Sequence, residues 1–340
     1  TGIQTEFGGS NPIQLSEYYA GGSNVPASTP APNGPIPSSG QISIGQFRGS
    51  ENITYMSATG GTITTSGDFK IHKFTGPGTF SVSSVSNSAP LNELSYVVIG
   101  GGGGAGGRWH GGAGGAGGFR ESKSGEDSYT ASPIEGSSSV TATATTYPIS
   151  IGGGGSGAPA GNVNGSKGSN SSALGITSTG GGYGGGYPSV GGPGGSGGGG
   201  GHRGTAGGSG NSPPTSPSQG NSGGAGAPSG FNPAGGGGGG GAGGTGGPNP
   251  SSGSNGGAGV YTSITGSSVG YAGGSAGGRA GSSPPGVVPS LDFGGFPSGN
   301  PSPAGRAGVA NKGAGGSSSN ADGTGGPGGS GIVVIRYKFQ

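Results

Sequence analysis

Apolar and polar residues alternate in short stretches early in the chain. Gly61-Thr62-Ile63-Thr64-Thr65-Ser66-Gly67 and Phe69-Lys70-Ile71-His72-Lys73-Phe74 do so with a turn between them, and Thr79-Phe80-Ser81-Val82-Ser83 repeats the pattern. Leu94-Ser95-Tyr96-Val97-Val98-Ile99 is apolar enough to be a central strand. Period-two alternation marks a half-buried strand, and a continuous apolar run marks one covered on both faces. Two more segments read the same way, Thr145–Ile151 and Ile332–Phe339. His72, beside Lys70, is expected on a solvent face. Leu94–Ile99, Thr145–Ile151 and Ile332–Phe339 all border glycine runs, so the simplest geometry is one β-sandwich with the glycine region as long excursions from its end.

The glycine region spans 100–331 and holds most of the 99 glycines. In Gly111–Gly118, Gly191–Ser196, Gly241–Pro248 and Gly323–Ser330 every third residue is not glycine. A period of three matches the left-handed polyproline II helix, which has three residues per turn and no internal hydrogen bonds. Two faces of such a helix would be bare backbone, so neighbours could approach closely and pair N–H with C=O. The third face, carrying Ala, Ser, Thr or Pro, would meet solvent or a neighbouring layer. Collagen needs a longer, unbroken, Pro-rich repeat than these runs of about two to three turns. A flexible Gly/Ser linker is the competing reading, disfavoured by the period and by the flanking strands. The expected fold is all-β: a β-sandwich with glycine-rich excursions packed as polyglycine II helices, plus an extended N-terminal arm. Its parts are the arm, 1–50; sandwich strands, 51–99; the glycine region, 100–331, with a strand near 145–151; and a closing strand, 332–340.

The arm contains an echo. Ile13-Gln14-Leu15-Ser16-Glu17-Tyr18-Tyr19 parallels Ile42-Ser43-Ile44-Gly45-Gln46-Phe47, with the Pro-rich connector 25–37 between them. The arm cannot form a core alone and reads as a segment that docks on another protein. Ile13, Leu15, Tyr18, Tyr19, Ile42, Ile44 and Phe47 are its candidate attachment residues. Gln4–Gly9, Pro12–Tyr19 and Ile36–Ile44 resemble a module of tail and virion proteins of bacteriophages, notably those of marine cyanobacteria. The order of strand (Tyr96–Ile99), polyglycine, Gly117-Gly118-Phe119-Arg120, strand (from Tyr147), polyglycine and strand (to Tyr337) is similar to the glycine-rich domain of many phage proteins. It also resembles distal adhesins on the long tail fibres of some tailed phages, whose polyglycine helices form a sandwich with receptor-contacting loops. The resemblance implies a virion structural protein without fixing its place in the particle.

Composition narrows the chemistry. Only 26% of residues are hydrophobic and 7% charged, so an ordinary core must be small. Thirteen Lys and Arg are scattered singly, giving a net charge of +2 and no basic stripe for nucleic acid. There is no cysteine, hence no disulfide or thiolate metal site. No apolar run is long enough for membrane insertion. Thr1–Phe7 does not read as a signal peptide, and Thr fits the residue exposed by removal of an initiator Met. Synthesis in a host cytoplasm followed by residence in a virion is expected. Catalysis has little support: the histidines are His72, His110 and His202, the last two read as loop tips. Glu121, Glu126 and Asp127 read as a solvated loop, or else a weak Ca²⁺ site. No cofactor or metal is expected, and no enzyme activity.

Isolated aromatics between glycine runs suit adaptable contact surfaces. Trp109, Tyr183, Tyr187, Phe231, Tyr261 and Phe296 are the candidate receptor contacts, with plugging of gaps in the bundle as the alternative role. The expected function is a phage tail-fibre or fibre-tip adhesin that meets a host surface saccharide or outer-membrane protein. The arm would join it to other virion subunits, and a homotrimer fits such a fibre. The alternative is a purely structural virion component. An antifreeze-like matrix protein would need a regular Thr array that is missing.

Overall fold

The structure, a computed structural model, describes residues 53–108, 110–137, 139–230, 235–248, 254–278, 304–319 and 323–340, together with 18–20, 24–25, 36, 38–39 and 293. The fold is all-β. The strands are β1 (Ser57–Thr59), β2 (Thr62–Ser66), β3 (Phe69–Phe74), β4 (Gly78–Ser84), β5 (Glu93–Ile99), β6 (Phe119–Ser122), β7 (Val140–Thr141) and β8 (Thr146–Ile149). They continue with β9 (Ser171–Ala173), β10 (Ile176–Ser178), β11 (Val260–Thr262), β12 (Val269–Tyr271) and β13 (Ile332–Lys338). The main sheet has the order β2-β3-β13-β5-β6, with β7 pairing β5 off this path, and the second sheet runs β1-β4-β8.

The main sheet is covered on both faces. On one, Phe74, Leu94, Tyr96, Val98, Val333, Ile335 and Tyr337 meet Ala58, Phe80, Val82 and Ile149 of the second sheet. The Ala58 N–H donates to the Tyr337 hydroxyl across that interface at 3.0 Å. On the other, Ile71, Val97, Ile99, Phe119, Ile332 and Val334 meet Val260, Ile264 and Tyr271, from and beside the β11–β12 hairpin. Double coverage explains why β5 and β13 are near-continuous apolar runs.

It also overturns the expectation for His72, which is 0% exposed. Its strand alternates, but the face it shares with Phe74 is roofed by Phe80, edge-on at 5.0 Å, and by Tyr337, stacked at 5.6 Å. Nδ1 lies 2.8 Å from the Gly60 carbonyl, and Nε2 has no hydrogen-bond partner among the described residues. Burial holds the imidazole below its usual range, Lys70 adds to this, and the Gly60 bond opposes it.

At Ile99 the twofold strand pattern becomes threefold. Gly100, Gly103 and Gly106 donate to Gly118, Gly115 and Gly112, extending the β5–β6 pairing. Gly102, Ala105 and Arg108 donate to Gly329, Gly326 and Gly323, extending β5–β13. Gly101, Gly104 and Gly107 donate in a third direction, to Ser169, Ser166 and Val163. The N···O distances are 2.8 to 3.1 Å. Carbonyls of the same segment accept from three more neighbours: Gly101 and Gly104 from Gly181 and Gly184, Gly102 and Ala105 from Gly155 and Ala158, and Gly103 from Gly316. One nine-residue segment is thus hydrogen-bonded to six others, and partners advance in steps of three. The described glycines with left-handed φ lie outside 100–107, 111–118, 180–186 and 194–201. Glycine is required inside the runs by proximity instead: a Cβ on Gly102 would stand 1.9 Å from the Ala314 carbonyl oxygen. Where a run carries a side chain, it is a buried small residue (Ala105, Ala113, Ala116, Ser196), the half-buried Tyr183, or an exposed rim residue such as Pro193, Thr245, Thr324 or Pro327.

Two hairpins within 100–331 went unread in the sequence. β9–β10 turns through Leu174 and Gly175, both at positive φ (56° and 76°), the turn whose twist suits a tight hairpin. The β8 segment lies in the second sheet and leads into the run at Gly152.

Two outcomes test this architecture. Gly102→Ala should lower stability by about 1–3 kcal/mol or more, as overpacking does. Gly153→Ala, with nothing within 4 Å of the added methyl, should be neutral or stabilise by up to about 1 kcal/mol. Equal melting temperatures for the two would refute close backbone packing as the reason for glycine. His72, with its folded pKa depressed, contributes stability present above its unfolded value and lost as pH falls through the folded one. The melting-temperature advantage of wild type over His72→Asn should therefore be largest at pH 7–8 and shrink below about 6.5; an advantage independent of pH would rule out the buried neutral imidazole.

Candidate binding surface

Two groups of polar side chains stand out. The first lies on the main sheet. Glu121 of β6 is 2% exposed, and Asp127 and Arg336 are also buried. Arg336 Nε donates to both Asp127 oxygens, at 2.9 and 3.1 Å. Asp127 also accepts from the Ser95 hydroxyl at 3.0 Å and the Ser128 N–H at 3.0 Å. The guanidinium lies over Phe69 at 4.5 Å and Tyr129 at 5.6 Å. Glu121 accepts from the Tyr129 hydroxyl, the Thr262 hydroxyl and the Ser132 N–H. Burial still pushes its carboxyl up and, with Glu121 adjacent, raises the Tyr129 phenol far above its usual range. The same two causes push Tyr271 up to about 12.

This corrects the reading of Glu121, Glu126 and Asp127 as a solvated acidic loop. Glu121 and Asp127 point into the sheet face and are consumed by internal donors; Glu126 alone is at the surface, 3.8 Å from Lys338. Among the described residues no three His, Cys, Asp or Glu converge as metal ligands. The cluster ties β6, β13 and the β11–β12 hairpin together and offers no approach for a substrate.

The second group sits where the runs turn back, far from the sheet. The chain leaving β5 reaches its turn at Arg108 and returns from Gly111. There the rings of His110, Tyr187 and His202 pack together, with centroids 4.7 Å apart (His110–Tyr187), 5.1 Å (His110–His202) and 5.9 Å (Tyr187–His202). The Arg203 guanidinium lies 5.1 Å from the Tyr187 centroid. The His202 N–H donates to the His110 carbonyl, and the Arg203 and Gly204 N–H groups both donate to Ala227. His202 is buried, Tyr187 and His110 half-buried, and Arg203 exposed. Burial lowers the His202 pKa, Arg203 lowers it further, and the Ala227 carbonyl opposes them. Val163 and Val190, 45% and 55% exposed, lie on turns of the same end.

Among the six candidate contacts, Tyr187 is at this end. Tyr183 is half-buried inside a run, its ring pressed on Gly192, where a Cβ would lie 2.4 Å from it. Tyr261 is 41% exposed but belongs to β11, beside the sheet, and packs on Phe293 at 4.8 Å. The structure therefore does not bring Tyr261 and Tyr187 together. Trp109, Phe231 and Phe296 lie outside the described residues. Of the attachment residues, Tyr18 is fully buried against Val25 and Ile36 of the chain itself, with Tyr19 partly buried beside it; Ile13, Leu15, Ile42, Ile44 and Phe47 lie outside the described residues. The histidine pair and Arg203 were missed as a site. The signal was present in Gly201-His202-Arg203-Gly204, a polar insertion between runs, but its pairing with His110 is set by folding.

Arg336→Met should destabilise by about 3–5 kcal/mol, because Asp127 would be left buried and unpaired. The Arg336→Met, Asp127→Leu double variant should recover much of that loss in denaturant unfolding; a double variant no better than the single would remove the ion pair as the cause.

No curated protein matches the chain. Residues 73–338 match the model of a glycine-rich domain family, a span that runs from the end of β3 to the end of β13 and takes in both the sheet and the runs, so the chain belongs to the glycine-rich domain family.

Proposed function

We propose that this chain is a bacteriophage virion protein, a tail-fibre or fibre-tip adhesin whose glycine runs are left-handed polyglycine helices holding receptor-contacting turns at the end away from the sheet. The step of three in the hydrogen bonds, the six neighbours of 100–108 and the absence of left-handed φ among the described glycines of 100–107, 111–118, 180–186 and 194–201 support the helical reading. The observation that carries the functional reading is the ring cluster of His110, Tyr187 and His202 at the turns. A lattice of backbone has no chemistry of its own, while turns anchored by it are preorganised and lose less entropy on binding. Trp109, between Arg108 and His110 in sequence, is a further candidate contact in this reading. Host contact would be through a saccharide or an outer-membrane protein, and attachment to other virion subunits through residues 1–50, as a trimer or as a single copy. Among the described residues no helix is long and apolar enough to cross a membrane.

The test is adsorption of purified, labelled protein to a panel of marine cyanobacterial strains, alongside melting temperature. Tyr187→Ala should weaken adsorption by about 1 kcal/mol or more, and Tyr261→Ala, on the sheet flank, should leave it unchanged. Wild-type protein that adsorbs to no strain would favour the alternative, a structural virion component. Adsorption insensitive to Tyr187 but lost with Tyr261 would move the contact to the sheet end.

A further inference from the structure

We infer that the ring-and-guanidinium platform of Tyr187, His202 and Arg203 is a subsite for an anionic saccharide, binding a carboxylate or phosphate group on the sugar. This rests on the adhesin reading and names its ligand class.

Three observations converge. The first is backbone. Arg203 has φ 80° and is followed by Gly204 at φ 69°. Left-handed φ is costly for residues with a side chain and costs glycine almost nothing. In a chain that uses glycine at 99 positions, the easy residue is withheld here in favour of arginine. The turn is pinned by the two N–H groups on Ala227, so the side chain leaves it in a fixed direction.

The second is geometry. The guanidinium lies over the Tyr187 ring at 5.1 Å from its centroid, a contact that uses none of its N–H donors. That coplanar fork matches the two oxygens of a carboxylate or phosphate, and the ring contact holds it at this surface. Ring faces beside an oriented cation suit a sugar, whose C–H face packs on aromatics while its charged group meets the fork. The mutual packing of Tyr187, His110 and His202 fixes the platform beneath.

The third is charge distribution. The described carboxylates, Asp68, Glu93, Glu121, Glu126, Asp127 and Glu135, all belong to the main sheet and its connections. Beyond Glu135 the sequence contains only Asp292 and Asp322, which lie outside the described residues. Arg203 forms no ion pair with the described residues. Among the described residues the turn end therefore carries Arg108 and Arg203 and no carboxylate.

Arg203→Gly suits the test because glycine prefers this backbone conformation, so the fold should be retained or gain stability. Wild type, Arg203→Gly and Arg203→Lys would be titrated against immobilised polyuronate, phosphomannan and neutral dextran, with adsorption to cyanobacterial cells in parallel. The expected result is binding to one or both anionic polymers, weakened by salt, reduced at least tenfold in Arg203→Gly and partly retained in Arg203→Lys, with dextran bound weakly by all three. Preference for polyuronate or phosphomannan identifies the anion. Anionic binding unchanged in Arg203→Gly, or dextran bound as tightly as the anionic polymers, overturns the proposal. Cell adsorption by wild type that persists undiminished in Arg203→Gly sinks the subsite while leaving the adhesin reading standing. Cell adsorption that is absent altogether sinks the adhesin reading, and the polymer titration still decides whether Arg203 binds anions.

Discussion

Everything in this structure depends on backbone meeting backbone. Ordering glycine loses more conformational freedom than ordering any other residue, on top of roughly 1–2 kcal/mol per residue for the chain in general. With 26% hydrophobic residues, apolar burial cannot offset that over 100–331. What replaces it is backbone hydrogen bonding shared among more neighbouring segments than a strand can reach. A strand directs its N–H and C=O groups to two neighbours; the 100–108 segment directs them to six. Such contact is possible only if Cβ atoms are missing, since the place a methyl would take on Gly102 is filled by the Ala314 carbonyl. Glycine is here a packing residue, selected for its size.

The sandwich supplies what the lattice cannot, a defined start. β13, β5 and β6 lie side by side in the main sheet, so the runs attached to them leave in register. The antiparallel pairing Ile99↔Phe119 passes into Gly100–Gly118 without a break, and Ile99↔Ile332 is followed by Gly102–Gly329. A repeat of near-identical glycines has little to specify its own register. The side chains of β5, β6 and β13 do specify theirs, because a slip by one residue would turn Val97 and Val334 to the wrong face. The buried Arg336–Asp127 pair adds a second check, since its geometry is met in one alignment only.

What could be read from the sequence follows the same division. The six long strands were legible because apolar alternation is a local signal, and period three in the runs was legible for the same reason. The three-residue strands of β9–β10 and β11–β12 were not, being too short to show a period. His72 was misplaced because alternation says which residues share a face but not whether a second layer covers it. Glu121 and Asp127 were misplaced because their partners, Thr262 and Arg336, are 141 and 209 positions away in the chain. The aromatic candidates were chosen as rings lying between glycine runs, and the fold separates them: Tyr187 at the turns, Tyr183 within a run, Tyr261 on the sheet flank.

The lattice also limits where this chain can vary. Inside a run, a side chain added at most glycines would meet a neighbouring carbonyl; on the central strands of the sheet, it meets a core closed on both faces. The turns joining the runs have neither restriction; some stand away from the sheet, as at His202–Gly204, and others beside it, as where Gly313 approaches Ile99. Residues of individual character therefore collect in the turns as a consequence of packing. Arg203 illustrates the point: its backbone conformation favours glycine, its side chain is exposed, and its guanidinium lies over a ring contributed by a different turn. A residue kept at such a position has no role in holding the lattice, which leaves its side chain free to face whatever approaches that turn.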